Sequence, residues 1–145
     1  MANVVPYAFP VELLSGTHNF ASNTFKLALY TSSPYTTAST VYVVTDETTG
    51  TEYSAGGNTL TGNAVSNVAN YATVDFTDSV WGSPTPASFS AAYGAIYNSS
   101  AANKLIVILD FGGTKSCSNG TFTVTFPSPT SGSPSGADAL LSIQS

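Results

Sequence analysis

The chain has 145 residues, of which 8% are charged, and its net charge is −5, with three lysines (Lys26, Lys104, Lys115) and no arginine. An average soluble domain carries about a quarter charged residues. Scattered cations in an acidic chain exclude nucleic acid as a partner, because neutralising phosphates takes clustered lysine or arginine, and they exclude a polybasic membrane contact on the same ground.

The length suits one domain, residues 1–145, large enough to bury a core without staples. Residues 1–10 read as an extended arm, because Pro6 and Pro10 interrupt regular ladder bonding. The segment also lacks the positive start and continuous apolar stretch of a secretory signal, and no run in the chain approaches the roughly 20 apolar residues that cross a bilayer. Val11–Ser15 reads as the one short helix, stopped by Gly16. Phe25–Thr31 alternates, with Phe25, Leu27 and Leu29 on one face of a strand and Lys26, Ala28 and Tyr30 on the other. Val41–Val44 is a second apolar run, followed by an acidic loop at Asp46-Glu47.

Gly56-Gly57 breaks the chain before a polar, edge-type strand over 58–65. In Tyr71–Thr77 the alternation sets Ala72, Val74 and Phe76 inward and Thr73, Asp75 and Thr77 outward. Trp81 heads a Gly-Ser-Pro-Thr-Pro loop. Tyr93–Asn98 and Lys104–Phe111 form a hairpin around the loop 99–103, and Leu105–Leu109, apolar on both faces, suits a strand in mid-sheet. Asn119-Gly120 is a turn dipeptide leading into the strand Thr121–Phe126. The Pro/Ser/Gly stretch 127–136 reads as a loop within the domain, because Ala139–Ile143 beyond it looks like a final strand. About eight strands with turn signals between them predict an all-β fold, an antiparallel, jelly-roll-like β-sandwich with at most one short N-terminal helix.

No catalytic constellation stands out, so enzyme activity is not expected. His18 has no second histidine to share a metal, and the plainer expectation is a ring bonded to backbone near a turn. Asp75, Asp78 and Asp110 show none of the facing geometry a glycosidase needs, and neither they nor Asp46-Glu47 have the spacing of a calcium loop. Cys117 has no partner for an internal disulfide; a passive loop thiol is expected. No cofactor or metal is predicted. The aromatic residues, 12% of the chain, supply the anchors of either a core or a protein or sugar contact.

Several of these residues form an ordered pattern: Gly16-Thr-His-Asn-Phe20 leading into Phe25–Thr31, Tyr53-Ser-Ala-Gly-Gly57 through Leu60, Trp81, Ala95-Ile-Tyr-Asn98, Asn103-Lys104 with Leu109-Asp-Phe-Gly112, and Gly120–Pro127. Over about Leu13 to Pro127 this pattern resembles a group of small tailed-bacteriophage virion proteins. The resemblance implies a capsid decoration (cement) protein, a β-sandwich on the outside of the head. It would be assembled in the host cytoplasm, would bind the major capsid protein, and would be a homo-oligomer such as a trimer. Relatives are expected to carry a basic residue before Gly94, where this chain has Ala92-Tyr93; docking through a charge there is not expected. Candidate interface residues are Val4, Pro6, Tyr7 and Phe9 in the arm, with Tyr35, Tyr42 and Trp81. The alternative function is a receptor- or glycan-binding module at the tail tip or fibre, and a third is a free carbohydrate-binding domain or hydrolase fragment.

Overall fold

A computed structural model describes residues 3–68, 70–127 and 140–144. One helix, α1 (Ala8–Leu14), precedes nine strands among these residues. They are β1 (Phe25–Tyr30), β2 (Asn58–Thr59), β3 (Ala64–Val68), β4 (Tyr71–Asp75), β5 (Ser79–Trp81), β6 (Ala87–Asn98), β7 (Lys104–Gly120), β8 (Phe122–Val124) and β9 (Leu141–Gln144). All pairings between them are antiparallel. A main sheet runs β2-β1-β6-β7, and two smaller sheets, β3-β4-β9 and β5-β8, lie apart from it. The chain is therefore an all-β sandwich with one short helix, as its alternating pattern indicates.

Burial on both faces of the main sheet explains why β1 is apolar at every position but Lys26, which is only half-buried. Phe25, Leu27 and Leu29 join Leu60, Phe76, Trp81, Phe89, Ile96, Ile106, Phe122 and Phe126 in the larger core, which the small sheets cover. Ala28 and Tyr30 point the other way and pack with Tyr35, Ala95, Tyr97, Leu105 and Ile108. Fully burying one such apolar side chain stabilises the fold by about 1.5–3 kcal/mol.

The hairpin closes where the sequence indicates: Asn98 pairs with Lys104, and Ala102 and Asn103 take left-handed φ values of 51° and 57°. Further along, Ala91 pairs with Lys115 but Tyr93 pairs with Asp110, so residues 111–114 bulge out of β7. Gly112 and Gly113, at φ +70° and +127°, make that excursion without strain.

Several expectations change. Residues 1–10 are not an extended arm over their described part. Val4 pairs with Ile108, and the helix begins at Ala8 rather than Val11. Pro10 occupies the first turn of that helix, where its missing N–H would have no intrahelical acceptor, so it does not act as a breaker. Leu105–Leu109 belongs to the last strand of the main sheet rather than a middle one. Its outer edge is filled in two places, by Val4 at Ile108 and by the 40–42 segment at Asn103–Leu105.

Val41–Val44 is not a full strand either. After one bridge at Lys104 its backbone turns to tyrosine hydroxyls, Val43 N–H donating to Tyr35 Oη at 3.0 Å and Val43 C=O accepting from Tyr30 Oη at 2.8 Å. The strand expected over 58–65 splits into β2 and β3, because Gly62 between them takes a left-handed φ of 68° that strand geometry does not allow. Ala72 is exposed and Thr73 is buried, the reverse of the alternation, because the Thr73 hydroxyl pairs with Ser66 Oγ at 2.9 Å. Asn119-Gly120 closes no hairpin: β8 pairs with β5, so the dipeptide marks the passage from one sheet to another. Of the loop 127–136, all but Pro127 lies outside the described residues.

Candidate docking surface

The seven residues expected at an interface separate sharply. Phe9 (2% exposed), Tyr35 (4%) and Trp81 (3%) are core residues, and Pro6 is buried. Val4 and Tyr42 are half-buried, Val4 at the β7 edge and Tyr42 stacked on Tyr97 with ring centroids 4.6 Å apart. Trp81 lies in β5 rather than a loop and meets the rings of Tyr53, Phe89 and Phe122. Only Tyr7, 73% exposed, stands outward.

Around Tyr7 the structure reveals a surface that the sequence reading missed. Tyr7 already has helical angles, φ −60° and ψ −27°. Helical geometry therefore puts Tyr7, Pro10, Val11 and Leu14 on one stripe at i, i+3, i+4 and i+7, and all four are exposed, Val11 at 69% and Leu14 at 90%. An amphipathic helix normally turns such a stripe to the core. Here Phe9 and Leu13 pack inward instead, and Pro6 and Pro10 mask the helical spacing in the sequence. Two other regions turn apolar side chains out: Val41, Val43 and Val44, and the two edge strands of the β3-β4-β9 sheet, where Val65 of β3 and Ile143 of β9 are each more than half exposed.

The inward face of α1 is polar at one point. Glu12 forms an ion pair with Lys104 and lies 3.1 Å from His18 Nε2. Burial pushes the Glu12 carboxyl up, but the hydrogen bonds from Lys104 and His18, with the Lys104 charge, outweigh it and hold the group below its ordinary value. His18, packed on the Phe9 ring, is met on its other side by Asn98, whose Nδ2 lies 3.0 Å from Nδ1. Ser100 N–H donates to Asn98 Oδ1, which fixes the amide. Nδ1 is thereby an acceptor, and Nε2 is the donor to Glu12. His18 thus bonds side chains, not the backbone groups expected of it. The cluster ties α1 to the hairpin.

A second polar centre holds the segment 31–57 on the main sheet. Glu47 accepts from Tyr42 Oη at 2.6 Å, from Tyr53 Oη at 2.7 Å and from Gly56 N–H at 2.7 Å. Tyr30 and Tyr35 hydroxyls meet at 2.6 Å, and Tyr97 donates to Gly56 C=O at 2.8 Å. Burial raises the phenol pKa of Tyr30, Tyr35, Tyr42, Tyr53 and Tyr97, that of Tyr97 to about 12, and the Glu47 charge adds to the rise at each.

The acids weighed for catalysis or calcium do not converge. Asp75 caps Phe76 N–H, Asp78 caps Phe126 N–H and Asp110 caps Gly112 N–H. Cys117 is half-buried beside Phe89 C=O. Among the described residues no three His, Cys, Asp or Glu side chains gather as metal ligands, and no helix is long and apolar enough to cross a membrane. A groove of about 760 Å³ runs between β7 and β8, lined by Val5, Leu109, Phe111, Phe122, Pro127 and Leu140 among others. Compared with known protein families, curated proteins and solved structures, the chain matches none of them.

Proposed function

We propose that the chain is a structural protein of a bacteriophage particle, seated on the outside of the head through contacts with the major capsid protein. The carrying observation is the outward turn of apolar side chains on α1, on 41–44 and on the two edge strands of the β3-β4-β9 sheet, in a chain with only 8% charged residues. Surfaces of that kind lose little hydration on burial, because few ions must be stripped of water. Contiguous exposed apolar patches on soluble proteins commonly mark interaction sites. A two-layer body carrying such patches acts by filling and tying a joint, and its side-chain chemistry is spent on holding its own loops and helix. The order of the motifs from Leu13 to Pro127 supports the same reading.

Quantitative mass spectrometry of purified particles that contain the chain tests it. A fixed copy ratio to the major capsid protein is the expected result. A handful of copies per particle would move the chain to the tail, and absence from particles would overturn the proposal.

A further inference from the structure

We infer that Glu47 and the two tyrosines bonded to it form an outlet for one-electron oxidation, in which Tyr42 loses the electron and Glu47 takes the proton. The inference stands apart from any role in a particle.

A phenol that loses an electron at neutral pH also sheds its proton, and a base already bonded to the hydroxyl speeds that transfer. Tyr42 Oη donates to Glu47 Oε2 at 2.6 Å, and Tyr53 Oη donates to Oε1 at 2.7 Å. Gly56 N–H also donates to Oε1, at 2.7 Å, so the carboxylate is held with Oε2 turned to Tyr42. Tyr42 is fixed as well. Its ring stacks on Tyr97 with centroids 4.6 Å apart, and its backbone N–H donates to Asn103 C=O. Burial and the Glu47 charge keep both phenols protonated beyond the ordinary range, so the proton leaves with the electron rather than before it.

The oxidant is an outer-sphere one-electron acceptor, such as a ruthenium(III) polypyridyl complex, and it gains the single electron. The Tyr42 O–H bond breaks and its proton bonds to Glu47 Oε2. A neutral tyrosyl radical is left beside a neutral carboxylic acid.

The same carboxylate links this site to the core. Trp81, 3% exposed, stacks on Tyr53 with centroids 6.2 Å apart, which gives an electron vacancy on the indole a short path to Tyr53. Tyr53 passes its proton to Oε1 as it fills that vacancy. Tyr42 then gives an electron to Tyr53 and a proton to Oε2, while Oε1 returns a proton to Tyr53. The vacancy thus moves from a buried indole to a half-buried phenol at the rim.

Accessibility alone would select a different residue. Tyr7, at 73%, is the one tyrosine that is exposed, and no carboxylate among the described residues bonds its hydroxyl.

The isolated chain tests the inference. Wild-type protein is exposed to the flash-generated ruthenium(III) complex with a nitroso spin trap, and adducts are mapped by peptide mass spectrometry. Tyr42 should carry more adduct than Tyr7. Glu47→Gln keeps an acceptor but removes the base, and should lower the Tyr42 yield by at least about tenfold while near-ultraviolet circular dichroism reports an intact fold. Tyr42→Phe keeps the stacked ring and serves where Glu47→Gln folds poorly. It should pass the radical to Tyr53, seen as a tyrosyl signal in frozen-solution electron paramagnetic resonance that survives the added change Tyr7→Phe. Tyr7 as the main site in the wild type would overturn the inference. So would an undiminished Tyr42 yield in folded Glu47→Gln, or loss of the signal in Tyr42→Phe once Tyr7→Phe is added.

Discussion

The two faces of the main sheet are covered by opposite means. One is dry: Phe20, Phe25, Phe76 and Phe126 pack ring against ring, Phe20 on Phe25 with centroids 4.7 Å apart, under the strands of the small sheets. The other is covered by the irregular segment 31–57, and its aromatic residues are tyrosines. A chain without ladder partners leaves carbonyl and amide groups to be satisfied. Tyr30, Tyr35 and Tyr97 extend from that apolar layer to reach such groups at Val43 and Gly56, and Glu47 accepts from Gly56 N–H. Tyr53 sits on the dry side beside Trp81 and Phe89 and accepts from Leu29 N–H. The difference teaches that a sheet face can be sealed without strands, provided its rings end in hydroxyls aimed at the covering backbone.

The largest test of this contrast is Phe25→Ala on the dry face, which leaves a cavity that the stacked rings cannot close. It should cost about 3–5 kcal/mol in urea unfolding. A loss below about 1 kcal/mol would mean that the small sheets collapse onto the gap. On the other face, Glu47→Ala removes the acceptor of three hydrogen bonds and should cost about 3 kcal/mol. Protection of the 42–56 amides from hydrogen exchange should fall more than that of β1 and β6.

The smallest effect is a titration. The folded-state phenol pKa values of Tyr30, Tyr35, Tyr42, Tyr53 and Tyr97 lie above the ordinary 10. Their contribution to stability is complete below that pH and is lost as pH rises through the folded values, about 12 for Tyr97. Phenolate absorbance from these five should therefore appear together with loss of circular dichroism above about pH 10. Ionisation of all of them in an intact fold would show that the hydroxyl network contributes little.

Much of the dry face was legible in the sequence. The alternation of Phe25, Leu27 and Leu29, the two-faced apolar run Leu105–Leu109 and the hairpin loop between them follow from periodicity and turn residues alone. The tyrosine face was not, because its partners are joined across the chain. Glu47 finds Tyr42 and Tyr53 nearby, but its network reaches Tyr97 through Gly56, and no local spacing announces that meeting. Trp81 misled for a related reason. A lone tryptophan before a proline-rich loop reads as an exposed anchor, yet Phe89 and Phe122 from distant strands enclose it. The outward stripe of α1 was hidden by Pro10, whose place in a first turn only the backbone reveals.

The filled edge of β7 has a consequence for crowding. A long strand of alternating or wholly apolar residues with an open side is a template on which another chain can grow a cross-β stack. Val4 and the 40–42 segment occupy that template from within the same molecule. Molecules packed side by side at high density therefore find the apolar start of this strand already paired at Ile108 and at 103–105, where strand addition by a neighbour would first have to displace the chain's own segments.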